Sequence, residues 1–280
     1  MSSHHNSLRW RSGVNLVVIA AALVAITVIT NAYSFNLMLR NFRQSLSSTA
    51  QIYTEQISGK VDKINSGSLE LVSLAASSQN YYTSSPLGRY LTQQDILTRL
   101  QDRIRYVESS DLYFFYRTDS DELLTALSNR PSTGSSYFWN QYLMLPPTQP
   151  ANTWFSVTCN GETWLMCYYN VSQVRVGAAV RAKTLLQSLY ADTGLVQDSG
   201  FALAGLDGAI VYSSQPDLMA CGTSLAGHIP ASLIVESHTV PEVGTLLLFR
   251  PSSDLLHQLS GSFGWLLLLN LLALALITTM

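Results

Sequence analysis

Two charge-free apolar runs, one near each end, constrain this chain more than any other feature. Val14 to Leu39 reads VNLVVIAAALVAITVITNAYSFNLML, and Phe263 to Met280 reads FGWLLLLNLLALALITTM. A membrane-spanning helix needs roughly 20 apolar residues. The first run is long enough, and the second falls about one turn short of that length. The first run is about twice the length of a signal-peptide core, and its helical pattern continues beyond it. It therefore reads as an uncleaved membrane helix. Arg9 and Arg11 precede it and place the N-terminus in the cytoplasm; Arg40 and Arg43 follow it and weaken that bias. The long middle segment translocates largely regardless of charge. The centre of the chain is then extracytoplasmic, and the closing run leads back toward the cytoplasm. That run has no basic stop, so Met280 reads as a cut point inside a second membrane helix.

The bulk numbers agree with a membrane protein. Of 280 residues, 47% are apolar and only 12% are charged, and the net charge is −2. That composition is too apolar for an ordinary soluble domain and lacks the basic stripe of a nucleic-acid binder. The three cysteines, Cys159, Cys167 and Cys221, are too few and odd in number for a disulfide scaffold. A two-residue turn at Asn160-Gly161 would pair Cys159 with Glu162 and not with Cys167. All three cysteines read as small apolar fillers.

Between the runs the hydrophobic period changes. From Arg40 to Asn80 it is helical: Ala50, Ile57, Ile64 and Leu71 recur every seven residues, and Lys60 and Gly67 interrupt the companion row of Leu46, Tyr53 and Leu74. Two readings stay open for this stripe, packing on its own domain or pairing in a dimeric stalk. TSSP at 83–86 reads as a break, followed by a helix from Thr92 to Val107 capped by Thr92. The period then becomes two. Strands are expected at 111–118, 123–127, 154–158, 163–170 and 172–180, with an aromatic insertion at 136–145 and a helix at 181–192. Two more hairpins follow, 200–205 with 209–214 and 232–240 with 244–250, and a last helix starts near Ser252.

This order resembles the double Cache (PAS-like) sensor of bacterial receptors, and more narrowly the N-terminal half of YesM-type sensor histidine kinases. The resemblance is carried by QIYTEQISGKVDKINSGSLELVSLA, DLYFFYRTDSDELLTAL, GETWLMCYYNVSQVRVGAAVRAKTLLQSL, FALAGLDGAIVYSS and SSDLLHQLSGSFGWLLLLNLLALAL, and it covers about residues 10–280. It implies an α+β fold with a long N-terminal transmembrane and stalk helix. A five-stranded antiparallel PAS-like lobe and a smaller membrane-proximal β lobe follow, then a second transmembrane helix. The expected division is a cytoplasmic N-terminus (1–13), first membrane helix (14–39), stalk (40–82), membrane-distal lobe (83–195), proximal lobe (196–251), connecting helix (252–262) and second membrane helix (263–280). The family's HAMP linker, phospho-accepting histidine and ATP-binding domain would follow the second helix. ATP, magnesium and a response regulator are therefore expected only through that part, and no cofactor is expected here.

The sequence offers little catalytic chemistry. It contains no G-x-S-x-G, H-E-x-x-H or C-x-x-C pattern, and its carboxylates are scattered over turns. The five histidines (His4, His5, His228, His238 and His257) precede no nucleotide box. No catalytic residue and no metal ligand is assigned. Ligand binding fits better. The expected sheet and its insertion are rich in Tyr and Trp, and arginine is the usual partner of a carboxylate or phosphate. Tyr116, Trp139, Tyr142, Trp164, Tyr168 and Arg175 are the candidate pocket residues. Amino-acid-binding Cache members place an arginine just before a Trp-Tyr/Phe pair; here Arg130 precedes Tyr137-Phe138-Trp139 at a different spacing. A small molecule, a cell-wall fragment and an extracytoplasmic protein all stay open as the signal. The expected function is signal sensing and transmission across the bilayer by a homodimeric kinase. The alternatives are the sensor of an AraC-type regulator, a chemoreceptor, or a membrane-tethered binding protein.

Overall fold

The apolar run and the heptad stripe form one helix, α1 (Ser3–Ser78), in the computed structural model of the chain. The structure describes residues 3–78, 85–107, 110–119, 122–128, 151–159, 161–191, 199–225, 229–253 and Gly264. Trp139, Tyr142, His228, His257 and the closing apolar run other than Gly264 lie outside them, as does most of the connecting helix expected at 252–262. Within α1 the segment from Ala21 is long and apolar enough to cross a membrane, and its most apolar stretch is wholly unburied. Val18, Val24, Ile26 and Ile29 are all exposed, so this part is apolar around its circumference, as a lipid-facing helix is. Its polar side chains bond back to the helix: Thr27 Oγ1 donates to the Leu23 carbonyl at 2.8 Å, and Asn31 Nδ2 to the Thr27 carbonyl at 2.9 Å. Such internal bonds are what hydrocarbon surroundings demand.

The chain divides into two compact units. One comprises residues 1–46, 231–234 and 250–280; in it the Arg250 guanidinium lies 5.4 Å from the Phe42 ring centroid. The other comprises 47–230 and 235–249 and contains most of the two sheets.

In the second unit the heptad stripe is core. Ala50, Ile57, Ile64 and Leu71 are at most 1% exposed. Each buried aliphatic side chain stabilises by roughly 1.5–3 kcal/mol relative to exposure. The stripe is therefore buried within its own chain at this height and is not free to pair with a second α1. The two interruptions are explained by the same contacts. At Gly67 the Tyr113 ring lies so close that an added methyl would sit 3.1 Å from its Cζ, and the Tyr113 hydroxyl donates to the Ile64 carbonyl at 3.4 Å. Burial pushes that phenol up to about 12. At Lys60 the ammonium donates to the Leu185 carbonyl at 2.9 Å, and burial lowers its pKa.

Helix α2 (Pro86–Tyr106) starts earlier than the sequence suggests. Pro86 occupies its first turn, where a missing N–H costs nothing, and Ser85 Oγ accepts from Gly88 N at 3.4 Å. Thr92 is inside the helix, not its cap, and its hydroxyl donates back to the Gly88 carbonyl at 2.9 Å. Ile96 and Leu100 are fully buried.

The first sheet comprises β1 (Leu112–Arg117), β2 (Glu122–Leu127), β3 (Phe155–Cys159), β4 (Glu162–Val171) and β5 (Val174–Arg181), ordered β2-β1-β5-β4-β3 and antiparallel throughout. The β3–β4 turn places Gly161 at φ 79° and pairs Cys159 with Glu162, the register that Asn160-Gly161 implies. The segment expected as one helix at 181–192 is instead two short ones, α3 (Ala182–Leu185) and α4 (Gln187–Ala191). Leu189 N bonds to the Leu186 carbonyl at 3.0 Å, one residue short of the α-helical partner. That leaves the Leu185 carbonyl to Lys60.

The second sheet comprises β6 (Gly200–Gly205), β7 (Ile210–Ser213), β8 (Leu233–Val240) and β9 (Gly244–Pro251), ordered β7-β6-β9-β8. In the β6–β7 turn Gly208 has φ 76°, and Asp207 Oδ1 accepts from Ala209 N at 3.1 Å. Cys167 is buried, with its thiol pushed up to about 12 chiefly by burial, whereas Cys221 is exposed and is not an apolar filler.

The centre of the first sheet is packed against backbone. A methyl group on Gly177 would lie 2.8 Å from Tyr168 Cα and 2.9 Å from Phe114 Cζ and would run into the Cys167 carbonyl. Gly177→Ala is expected to destabilise by about 1–3 kcal/mol through overpacking. Thermal denaturation followed by near-ultraviolet circular dichroism measures it; an unchanged midpoint would refute the packing described.

Candidate ligand-binding site

Successive strand residues face opposite sides of a sheet. One side of the first sheet carries Tyr113 and meets α1. The opposite side carries Leu112, Phe114 and Tyr116 from β1 with Trp164, Met166 and Tyr168 from β4, in a single buried cluster. The strand between β1 and β4 is β5, and its residues on this side are Arg175, Gly177, Ala179 and Arg181. The two small residues make a trough along the sheet. Aromatic side chains from both flanking strands fill it: Gly177 pairs with Phe114 on one side and Tyr168 on the other. Phe155 meets the Tyr168 ring edge-on at 6.0 Å, and Leu123 and Ala151 also pack against the cluster.

An arginine stands at each end of the trough. Arg175 is partly exposed and lies 6.0 Å from the Tyr116 ring centroid. Arg181 lies 5.6 Å from the Trp164 ring centroid. Cations over aromatic faces gain on the order of 0.5–2 kcal/mol. The two arginines differ in partner. Asp111, 2% exposed, accepts from Arg181 Nη2 at 2.7 Å and from the Arg181 backbone N–H at 2.8 Å. The bond to Asp111 raises the Arg181 pKa against the opposing effect of burial. Arg181 is thus a fixed part of the sheet, and Arg175, also partly exposed, stands at the other end of the trough. Burial also raises the Tyr168 pKa, with Arg175 pulling it the other way.

Of the six residues singled out from sequence, Tyr116, Trp164 and Tyr168 share the cluster, and Arg175 sits at its edge. Trp139 and Tyr142 lie outside the described residues. Sequence reasoning missed Asp111, Gly177 and Arg181. Strict alternation through SQVRVGAAVR would have placed Arg175, Gly177, Ala179 and Arg181 on one face. Among the described residues, no group of three or more His, Cys, Asp or Glu could hold a metal ion.

No family model and no curated protein sequence matches the chain. Solved structures do. The periplasmic sensory domain of the Campylobacter jejuni chemoreceptor Tlp1 aligns at a TM-score of 0.52 and 9% identity, covering 78% of this chain and 97% of that one. The sensory domain of C. jejuni Tlp3 aligns at 0.48 and 9% identity over 80% and 98%, and the Vibrio cholerae LuxQ periplasmic domain at 0.41 and 12% over 74% and 100%. The Tlp1 likeness establishes a shared fold, a long N-terminal helix with two antiparallel sheets of five and four strands; the other two scores are too low to bear on it.

Asp111→Asn is expected to lower stability by about 3 kcal/mol, because it leaves a largely buried guanidinium with only the more distant Glu162, 4.0 Å away, as counter-charge. Chemical denaturation measures it; a loss below about 1 kcal/mol would place the pair among ordinary surface bridges.

Proposed function

We propose that this chain is the extracytoplasmic signal-sensing and membrane-spanning part of a bacterial sensor histidine kinase of the YesM type. The observation that carries the reading is the architecture: two antiparallel sheets in a sensory-domain fold, and one long helix whose other end is apolar on all sides. The motifs from QIYTEQISGK through SSDLLHQLSG support the kinase over other receptors with such sensors. The Tlp1 likeness favours a chemoreceptor as the second reading. In either case the N-terminus is cytoplasmic, the sheets are outside, and a second membrane helix returns the chain. ATP, magnesium and the response regulator belong to cytoplasmic parts outside these 280 residues.

The ligand site in this reading is the trough edge formed by Tyr116, Trp164, Tyr168 and Arg175; Trp139 and Tyr142, expected from sequence to belong to it, lie outside the described residues. Arg175 suits an acidic group, and the rings suit an apolar or sugar-like body. The three rings are at most 4% exposed, so entry means parting Phe155, Ala151 or Leu123 from them. A signal then arises if the ligand binds one packing of sheet on α1 more tightly than another. A homodimer would use the exposed face of α1, which carries Ile52 and Leu69, since the heptad stripe is buried.

The test is a thermal-shift screen of small molecules and cell-wall fragments on the full chain in lipid nanodiscs. A stabilising compound should bind about tenfold more weakly to Arg175→Ala, the loss of one charge-assisted contact. In membranes carrying the complete receptor it should change phosphoryl transfer from ATP to histidine. Binding untouched by Arg175→Ala would move the site off the trough, and a receptor that responds without histidine phosphorylation would rule out the kinase.

A further inference from the structure

A second cavity, of about 610 Å3, lies within the larger unit between the end of the first sheet and the edge of the second. Its volume is in the range of pockets that hold drug-sized ligands, about 300–1,000 Å3. Glu162, Arg181 and Lys183 line it from the first lobe, Tyr190 from α4, and Tyr212 and Cys221 from the second lobe. Among the described residues it shares only Arg181 with the trough, and Tyr116, Trp164, Tyr168 and Arg175 are not among its lining.

The lining is rich in donors. Lys183 is exposed, its Nζ 5.9 Å from the Tyr190 ring centroid, and it makes no ion pair among the described residues. Arg181 is oriented by Asp111 through Nη2, while its Nη1 is 4.0 Å from Glu162 Oε1, too far for a hydrogen bond. The Tyr190 and Tyr212 hydroxyls bond to each other across the lobes. Burial and that bond push the Tyr212 phenol up. Among the described residues, Glu162 is the carboxylate on the wall. Two cations, and the one phenol hydrogen that the Tyr190–Tyr212 bond leaves over, match an anion that carries an organic body.

We propose that this interlobe cavity binds an organic carboxylate, held by Lys183 and Arg181 and bridging the two lobes. An occupant also touches the α3–α4 segment, whose Leu185 carbonyl is held by Lys60 of α1. It is thus one residue pair from the helix that enters the membrane, and it biases the lobe arrangement independently of the trough.

The probe is 4-(trifluoromethyl)benzoate, with neutral 4-(trifluoromethyl)benzamide as control, titrated by fluorine NMR onto the full chain in nanodiscs. The benzoate should bind saturably and the benzamide at least about tenfold more weakly, as expected for a lost charge-assisted bond. Lys183→Met, at an exposed position, should weaken the benzoate by a similar factor, and Cys221→Trp should block it by filling the cavity. Arg175→Ala should leave it unchanged, which separates this site from the trough. Absence of saturable benzoate binding, equal binding of acid and amide, or binding that survives both Lys183→Met and Cys221→Trp would overturn the proposal.

Discussion

The two-sheet part of this protein packs on one face of α1. A single stripe, Ala50, Ile57, Ile64 and Leu71, is buried almost completely. A helix of this length gains little from propensity alone, and its stability comes from the apolar face it buries. The polar positions beside the stripe do the positioning. Asn65 accepts from the Trp154 indole at 3.2 Å and donates to Glu242 at 2.5 Å, so one side chain ties the first lobe and the β8–β9 turn to the helix. Lys60 holds the α3–α4 segment, and Ser47 meets His238 of β8 at 3.1 Å.

The same economy shapes the first sheet. Its α1 side is closed by Tyr113, held at the Ile64 carbonyl beside Gly67. Its other side is a trough because β5 offers Gly177 and Ala179 where its neighbours offer rings. The trough has a fixed end at the Arg181–Asp111 pair and a partly exposed end at Arg175. Both arginines stand over aromatic rings.

Much of this was legible in the sequence because the signals were local. Alternation located every strand to within a residue or two, and Asn160-Gly161 set the β3–β4 register. Other features depended on long-range partners. Pro86 reads as a stop, yet it starts α2 because Ser85 caps the turn. Residues 181–192 read as one helix, but Lys60, more than a hundred positions away, claims the Leu185 carbonyl. Gly67 and Lys60 look like defects in a heptad until Tyr113 and Leu185 are placed beside them. Asp111 and Arg181 are unremarkable in sequence and become a pair only when β1 and β5 lie side by side.

The central claim is that the sheets face the outside of the cell on a membrane-anchored helix. Cys221 is a native reporter for it: the thiol is exposed on the second lobe, while Cys167 is buried and held protonated. In a Cys159→Ser background, a membrane-impermeant maleimide should label Cys221 in intact cells as fully as in lysed ones. Labelling that appears only after lysis would place the sheets in the cytoplasm and contradict the account.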